Sequence, residues 1–160
     1  MLNKIESLQD AFNRVWNHYI VRHHTFAFNK EEESPVMQDA EGNKDPVRVL
    51  IPDNKYRKVF EEMSYKDILQ YRGLRKYFSR VKNELDFFDN LLVIHDRAAE
   101  SAIIEAAHPE GIRARRCYRE FRRSFREGLL DVAGEYGLNI PSSRPYPTYV
   151  AAKKKVNKKK

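Results

Sequence analysis

Apolar residues recur at alternating steps of four and three residues between Leu74 and His95. They occupy positions 74, 78, 81, 85, 88, 92 and 95. Because an α-helix turns once in about 3.6 residues, this spacing places them all on one side of a helix. The pattern predicts a helix of about 20 residues or more with one buried face. Small apolar residues continue it to Ala106, and Pro109 and Gly111 end it.

A second helix is predicted where seven arginines lie within the fourteen residues from 113 to 126. They are Arg113, Arg115, Arg116, Arg119, Arg122, Arg123 and Arg126. On a helix, Arg115, Arg119, Arg122 and Arg126 form one narrow stripe, which is widened by Arg116 and Arg123. Phe121, Phe125 and Leu129 occupy another sector of the helix. We therefore expect this helix to pack with one face and to present guanidinium groups with another.

The first 51 residues predict one further helix and a ribbon. Apolar residues between Ile5 and Tyr19 recur at helical spacing, and Asn3 with Glu6 forms a capping-box pattern at the start. Residues 29–46 form a polar, acidic loop. The short apolar runs that flank it, 25–28 and 47–51, are candidates to pair as two strands lying on the helices.

These patterns predict one mostly α-helical domain over residues 1–140. We expect a compact bundle of four or five helices, to which the small two-stranded β-ribbon is an optional addition. Residues 141–160 form a Pro-containing linker and a Lys-rich tail, a composition typical of flexible segments. Short helices are expected over 52–63 and again from Ser64, where a Ser-x-x-Asp sequence provides a cap.

The overall charge restricts the class of partner. The chain has a formal net charge of +7, which attracts polyanions such as nucleic acid or acidic protein surfaces. A single cysteine excludes an internal disulfide and a cysteine-ligated zinc site. The sequence shows neither a signal peptide nor a membrane span, and it predicts a cytoplasmic or otherwise intracellular protein.

Two further basic elements accompany the arginine helix. The first is a run on the predicted long helix, which comprises Arg72, Arg75, Lys76, Arg80 and Lys82. The second is the tail, with Lys153, Lys154, Lys155, Lys158, Lys159 and Lys160. Three separate basic elements exceed what solubility requires, although acidic residues elsewhere in the chain can neutralise part of this charge. We expect all three to contact the partner.

No established catalytic motif is present, and we expect no cofactor and no metal. The chain lacks phosphate-binding glycine loops, the zinc-protease signature and the nucleophile elbow. Glu105 and His108 form one E-x-x-H half-motif, but the helical di-iron sites need two copies. An acid–base or metal site would require distant residues to converge, namely Glu84, Asp89, His95, Glu105 and His108. His95 follows the apolar pattern beside Asp96, which favours a hydrogen-bonded core histidine.

Two functions therefore remain open. The first is non-catalytic, weakly sequence-specific binding of the DNA or RNA backbone through the arginine-lined helix. The alternative is a protein-interaction module, an adaptor, inhibitor or assembly subunit that docks the arginines on an acidic protein surface. No helix-turn-helix pattern precedes the arginines, which disfavours sequence-specific DNA recognition. An enzyme is the least favoured class.

Overall fold

The computed structural model describes residues 4–106 and 114–142. Helices dominate these residues, and an antiparallel ribbon of two short strands accompanies them. The α-helices are α1 (Leu8–Trp16), α2 (Pro46–Leu50), α3 (Tyr65–Gln70), α4 (Leu85–Ala106) and α5 (Ala114–Glu135), and the strands are β1 (Phe28–Asn29) and β2 (Ser34–Pro35). The predicted mostly α-helical fold with a small β-ribbon is confirmed. The predicted lysine tail lies outside the described residues.

The two long helices α4 and α5 run antiparallel and pack along their length. Asn90 near the start of α4 donates to Tyr136 just beyond the end of α5, at 3.2 Å. Phe88 and Leu91 of α4, like Phe121 and Phe125 of α5, are fully buried. Burial of each such side chain stabilises the fold by roughly 1.5–3 kcal/mol. This helix pair therefore supplies much of the core.

α1 begins later than the sequence pattern indicated. Its N-cap is Ser7, whose Oγ accepts a hydrogen bond from the Asp10 backbone N–H at 3.1 Å. Asn3, the predicted cap, lies outside the described residues. Ser7 and Asp10 form a Ser-x-x-Asp sequence. It satisfies the free N–H groups of the first helical turn as well as a capping box of Asn3 and Glu6 would. After Trp16 the chain continues as a π-helix over Asn17–Val21, in which backbone hydrogen bonds join residues five apart.

The ribbon forms, but with a different partner strand from the one predicted. β1 pairs with β2, which lies inside the predicted acidic loop, and residues 47–51 take no part in it. Most residues of the predicted strand 47–51 belong instead to α2, because Asp45 caps that helix and Pro46 occupies its first position. The Asp45 carboxylate accepts from the Arg48 N–H at 2.6 Å. A local capping signal thus prevails over the strand preference of the valines.

The segment before α4 is not helical, which corrects the prediction of one helix from Leu74 onward. Residues 71–84 form successive turns, in which the Val81 N–H donates to the Phe78 carbonyl at 2.9 Å. The Tyr77 carbonyl, which Val81 would use in an α-helix, accepts instead from the Ile5 N–H at 2.9 Å. Leu74, Phe78 and Val81 are nonetheless buried. The burial pattern was therefore predicted correctly, and the backbone conformation was not.

Residues 52–63 form two short 3₁₀ turns, Asp53–Lys55 and Lys58–Glu62, in place of the single helix predicted. Tyr56 and Arg57 between them have extended backbones, with ψ of 140° and 136°. The Arg48 guanidinium lies 4.1 Å above the Tyr56 ring. This contact packs the Tyr56 ring against α2, and the extended backbone of Tyr56 and Arg57 separates the two turns.

The predicted cap at Ser64 is confirmed. Ser64 caps α3 by accepting from the Asp67 N–H. Beyond α5, Gly137 adopts a left-handed backbone with φ of 61°. The Leu138 N–H donates to the Ala133 carbonyl at 2.8 Å, and the Gly137 N–H to Gly134 at 3.4 Å. These bonds form the Schellman arrangement that commonly ends a helix at glycine.

Candidate nucleic-acid interface

The orientation of α5 decides which arginines are accessible. Phe121, Phe125 and Leu129 are fully buried, so the opposite side of the helix faces solvent. Arg119, Arg123 and Arg126 lie within about 60° of one another on that opposite side, at 100° per residue. All three side chains are exposed. These three residues are called the arginine face below.

Arg122 does not belong to the exposed set, although the sequence placed it on the same stripe. It borders the buried sector and is half-buried. Its Nη2 donates to the Ile20 carbonyl at 2.8 Å, at the end of the first helical segment. A charged donor satisfies a carbonyl that the helix end leaves free. Arg122 therefore joins two elements of the fold.

The three exposed arginines differ in their surroundings. Arg119 makes no hydrogen bond or ion pair with any part of the chain that the structure describes. Arg123 Nη2 contacts both carboxylate oxygens of Glu120, at 2.7 and 3.0 Å. The Arg126 guanidinium carbon lies 5.9 Å from the Trp16 ring centroid, within cation–π range. Neighbouring side chains therefore hold the guanidinium groups of Arg123 and Arg126, whereas that of Arg119 is fully accessible.

The other predicted contact residues on this helix are less completely described. Arg115 and Arg116 lie on the α5 backbone, and their side chains fall outside the described part of the structure. Arg113 and the tail lysines Lys153, Lys154, Lys155, Lys158, Lys159 and Lys160 lie outside it altogether. By position on the helix, Arg115 and Arg116 flank the arginine face on either side.

Two stacked histidines at the end of the first helical segment lie beside α5, which the sequence did not indicate. The rings of His18 and His24 stack at 4.1 Å. Burial, followed by the positive charges of its neighbours, lowers the pKa of His18 to about 3. Burial and the charges of Arg22 and Lys44 lower the pKa of His24. Since Ile20 accepts from Arg122, this turn lies next to α5, and its two histidines are uncharged near neutral pH. Only the tertiary contact reveals the proximity.

The second predicted basic run occupies the turns before α4. Its members Arg72, Arg75, Lys76, Arg80 and Lys82 all have exposed side chains. Arg80 Nε forms an ion pair with Glu6 at 3.1 Å. The backbone of Tyr77 bonds to Ile5. These contacts attach the run to residues preceding α1 and do not join it to the arginine face.

The acid–base set considered from the sequence does not converge in the described structure. Glu84 and Asp89 are exposed, whereas His95 is fully buried. The Glu105 side chain and His108 lie outside the described residues. Within residues 4–106 and 114–142, no group of three or more His, Cys, Asp or Glu side chains is placed to hold a metal ion.

His95 is a core residue, as its position in the apolar pattern indicated. Its Nδ1 lies 2.9 Å from Asp96 Oδ1. Its ring lies 5.9 Å or less from those of Tyr19, Phe121 and Phe125. The carboxylate at Nδ1 fixes the ring orientation, and the aromatic cluster separates the ring from solvent. This environment gives His95 a packing role.

Cys117 also contributes to packing. Its side chain is half-buried against the core of the helix pair. Burial raises the pKa of the Cys117 thiol. A thiol with a raised pKa stays protonated near neutral pH and is a poor nucleophile.

The described helices include none with the length and apolar character needed to cross a membrane. Comparison of the chain with protein-family models, with curated proteins and with solved structures finds no match.

Proposed function

We propose that this protein binds the nucleic-acid backbone without catalysis and with weak sequence specificity, through the arginine face. The observation that supports the proposal is the division of α5 into a fully buried apolar side and an exposed side bearing Arg119, Arg123 and Arg126. Guanidinium groups bind phosphate oxygens in a bidentate manner and stack on bases. Such contacts contribute affinity and carry little sequence information.

The proposal requires strong dependence on salt. Each neutralised phosphate releases counterions, so log K falls with log salt at a slope of about −0.9 per contact on duplex DNA. Three to five contacts from the arginine face and its flanking arginines predict a loss of roughly 6- to 20-fold in affinity when salt is doubled. Fluorescence anisotropy with labelled DNA and RNA oligonucleotides measures this slope. An affinity that does not change with salt would contradict the proposal.

A pair of charge-matched variants locates the binding surface. We expect Arg119→Glu combined with Arg126→Glu to weaken binding by at least tenfold. The control combines Arg57→Glu with Arg97→Glu, because both residues are exposed and lie outside α5. The two variants change the net charge equally. Equal losses in both would show that overall charge, and not the arginine face, determines binding.

An acidic protein surface is the second candidate partner, and carboxylates beside the arginine face favour it. Glu120 pairs with Arg123, and Glu127 is exposed on the same side of α5. Carboxylates repel phosphate but are common in interfaces between proteins, where arginine is also enriched. Purification with and without nuclease separates the two functions. A protein that is retained after nuclease treatment and released by the Arg119→Glu and Arg126→Glu changes would support the second function.

A further inference from the structure

A large groove lies between the β-ribbon with its following loop, the 3₁₀ turn Lys58–Glu62 and the middle of α4. Its volume is about 1000 Å³, at the upper end of the range for small-molecule sites. Phe28, Met37, Phe60 and Leu92 are among its apolar lining residues. The groove is therefore a cleft with apolar surface, large enough to accept a segment of polypeptide.

The groove has a charge opposite to that of the chain as a whole. Its lining contains eight acidic residues, namely Glu31, Glu32, Asp39, Glu41, Asp45, Glu61, Glu62 and Asp96, of which the buried Asp45 retains its proton near neutral pH. Two lysines also line it, and one of them, Lys30, is paired with Glu41 at 2.8 Å. We call this surface the acidic groove.

Several of these carboxylates are held in place by N–H groups of the backbone and not by cations. Glu61 accepts from the Met37 and Gln38 N–H groups, both at 3.1 Å. Asp39 accepts from the Glu41 and Asn43 N–H groups, both at 2.9 Å. Hydrogen bonds of this kind orient a carboxylate and leave its negative charge uncompensated. The acidic groove thus has a fixed arrangement of negative charge.

Asp45 is a buried acidic residue without a cationic partner among the described residues. It lines the acidic groove and is 8% exposed. Its carboxylate accepts from the Arg48 N–H at 2.6 Å and forms no ion pair with a described cation. Burial, together with the charges of Asp96 and Glu61, raises the pKa of Asp45 to about 8. Asp45 therefore retains its proton near neutral pH, and a positive group entering the groove would favour its ionised form.

The chain itself contains a segment of matching charge. Residues 143–160 contain six lysines, Arg144 and no carboxylate. The whole chain has 30 Lys and Arg against 23 Asp and Glu, so residues 1–142 carry 23 of each and are formally neutral. The entire net charge of +7 therefore resides beyond Ser142.

The length of that segment suffices for it to reach the groove. An extended chain spans about 3.3 Å per residue, so residues 143–153 span up to ~36 Å. A domain of this size has a radius of gyration of about 14 Å. A short tether also holds its free end at a local concentration of the order of millimolar. Modest attraction is then sufficient for binding within one chain.

We propose that the lysine segment 153–160 binds in the acidic groove of its own chain. Its ammonium groups contact the glutamates of the rim, and its aliphatic stems cover apolar lining. The inference goes beyond the proposed function and does not depend on the identity of the polyanion. In the free protein the lysine segment occupies the acidic groove. It contacts other partners only after it leaves the groove.

The test follows the backbone amides of the full chain by NMR. In one variant all six lysines of 153–160 become glutamine. We expect shift changes at residues 28–41 and 58–63, around the acidic groove, and none along the exposed side of α4. Shift changes restricted to the tail itself, or located on another surface, would overturn the proposal.

A reciprocal pair of variants keeps the tail intact. Glu31→Gln, Glu32→Gln and Glu62→Gln remove three exposed charges of the groove rim. The matched control is Glu100→Gln, Glu127→Gln and Asp131→Asn, three exposed carboxylates of α4 and α5. The tail amides should move toward the shifts of a synthetic peptide of residues 143–160 in the first variant only. Identical spectra for the tail in both variants would contradict docking in the groove.

Dilution distinguishes docking within one chain from docking between copies. If the tail binds within its own chain, the amide chemical shifts of the groove residues should not depend on protein concentration. Groove shifts that vanish on dilution would assign the tail to the groove of a second copy and overturn the intramolecular contact. Failure of the protein to bind nucleic acid leaves these spectra unaffected, so the two proposals are tested separately.

Discussion

Gly128 of α5 lies directly against Ile94 of α4. A Cβ atom placed on Gly128 would be 2.8 Å from the Ile94 Cβ and 3.0 Å from its Cγ2. The absence of a side chain at this one position lets the two long helices approach closely. The neighbouring atoms belong to a β-branched side chain, which has little freedom to move away.

We expect Gly128→Ala to destabilise the protein. Alanine gains up to about 1 kcal/mol in helix propensity over glycine, while overpacking in a core costs typically ~1–3 kcal/mol. The matched control is Gly134→Ala in the same helix, where an added Cβ meets nothing within 4 Å. Urea unfolding should show a loss for the first variant and no loss for the second. A more stable Gly128→Ala would show that the helices adjust at no cost.

Arg48 should be essential for stability even though it is a charged residue. It is 2% exposed, and its guanidinium donates to Gln38, Ile51 and Asp53 at 2.7–2.9 Å. Arg48→Ala removes the donor to the buried Ile51 and to Gln38, while Asp53 keeps its bond to Lys44, and we expect a loss of about 2–4 kcal/mol in the free energy of unfolding. Arg48→Lys should recover only part of it, because one ammonium cannot replace a planar fork.

The matched control for Arg48 is Arg57→Ala, since the Arg57 side chain is exposed. Thermal unfolding should place Arg57→Ala within about 0.5 kcal/mol of the parent. Similar stability of Arg48→Ala and Arg57→Ala would mean that the buried guanidinium is not needed.

Arg122 and Arg119 were predicted on the same stripe of α5, but we expect Arg122 to stabilise the fold and Arg119 to bind nucleic acid. Arg122→Ala removes the bond to the Ile20 carbonyl, and we expect a loss of ~1–3 kcal/mol, as for other hydrogen bonds with charged donors. Arg119→Ala removes no described contact and should leave stability unchanged. Chemical denaturation measures the first effect, and oligonucleotide binding measures the role of Arg119. The reverse ranking of the two stabilities would refute this assignment.

The buried Asp45 carboxyl predicts a defined dependence of stability on pH. Its folded-state pKa is raised from 3.8 to about 8, so the folded protein retains a proton that the unfolded chain has released. Stability relative to Asp45→Asn should therefore fall as pH rises from about 4 to about 8, with a limiting slope of ~1.4 kcal/mol per pH unit. Asparagine keeps the capping role. Urea titrations of both proteins across this range provide the measurement, and parallel curves would rule out the shift.

Periodicity in the sequence predicted which side chains are buried more reliably than it predicted backbone conformation. Leu74, Phe78 and Val81 lie in the core as expected, although they are on turns. Turns with three-residue steps and α-helices both bring residues three or four apart to the same side. The spacing therefore cannot distinguish the two, and the hydrogen bond from Ile5 to Tyr77 decided between them.

The candidate interface was predictable to a similar extent. Angular spacing along α5 separated the arginines from Phe121 and Phe125 without any knowledge of neighbouring helices. The burial of Arg122 and the position of the histidine turn at His18 depend on the packing of α5 against the end of the first helical segment. The acidic groove likewise combines residues separated by up to 68 positions, from Phe28 to Asp96.

The sequence alone determined the helical class, the cap at Ser64 and the two-sided character of α5, because these depend on interactions within a few residues. The tertiary structure decided which strand pairs with β1, where α4 begins, which arginines are exposed and which acidic residues line the groove. Those outcomes depend on contacts between distant segments, whose free energies no local pattern contains.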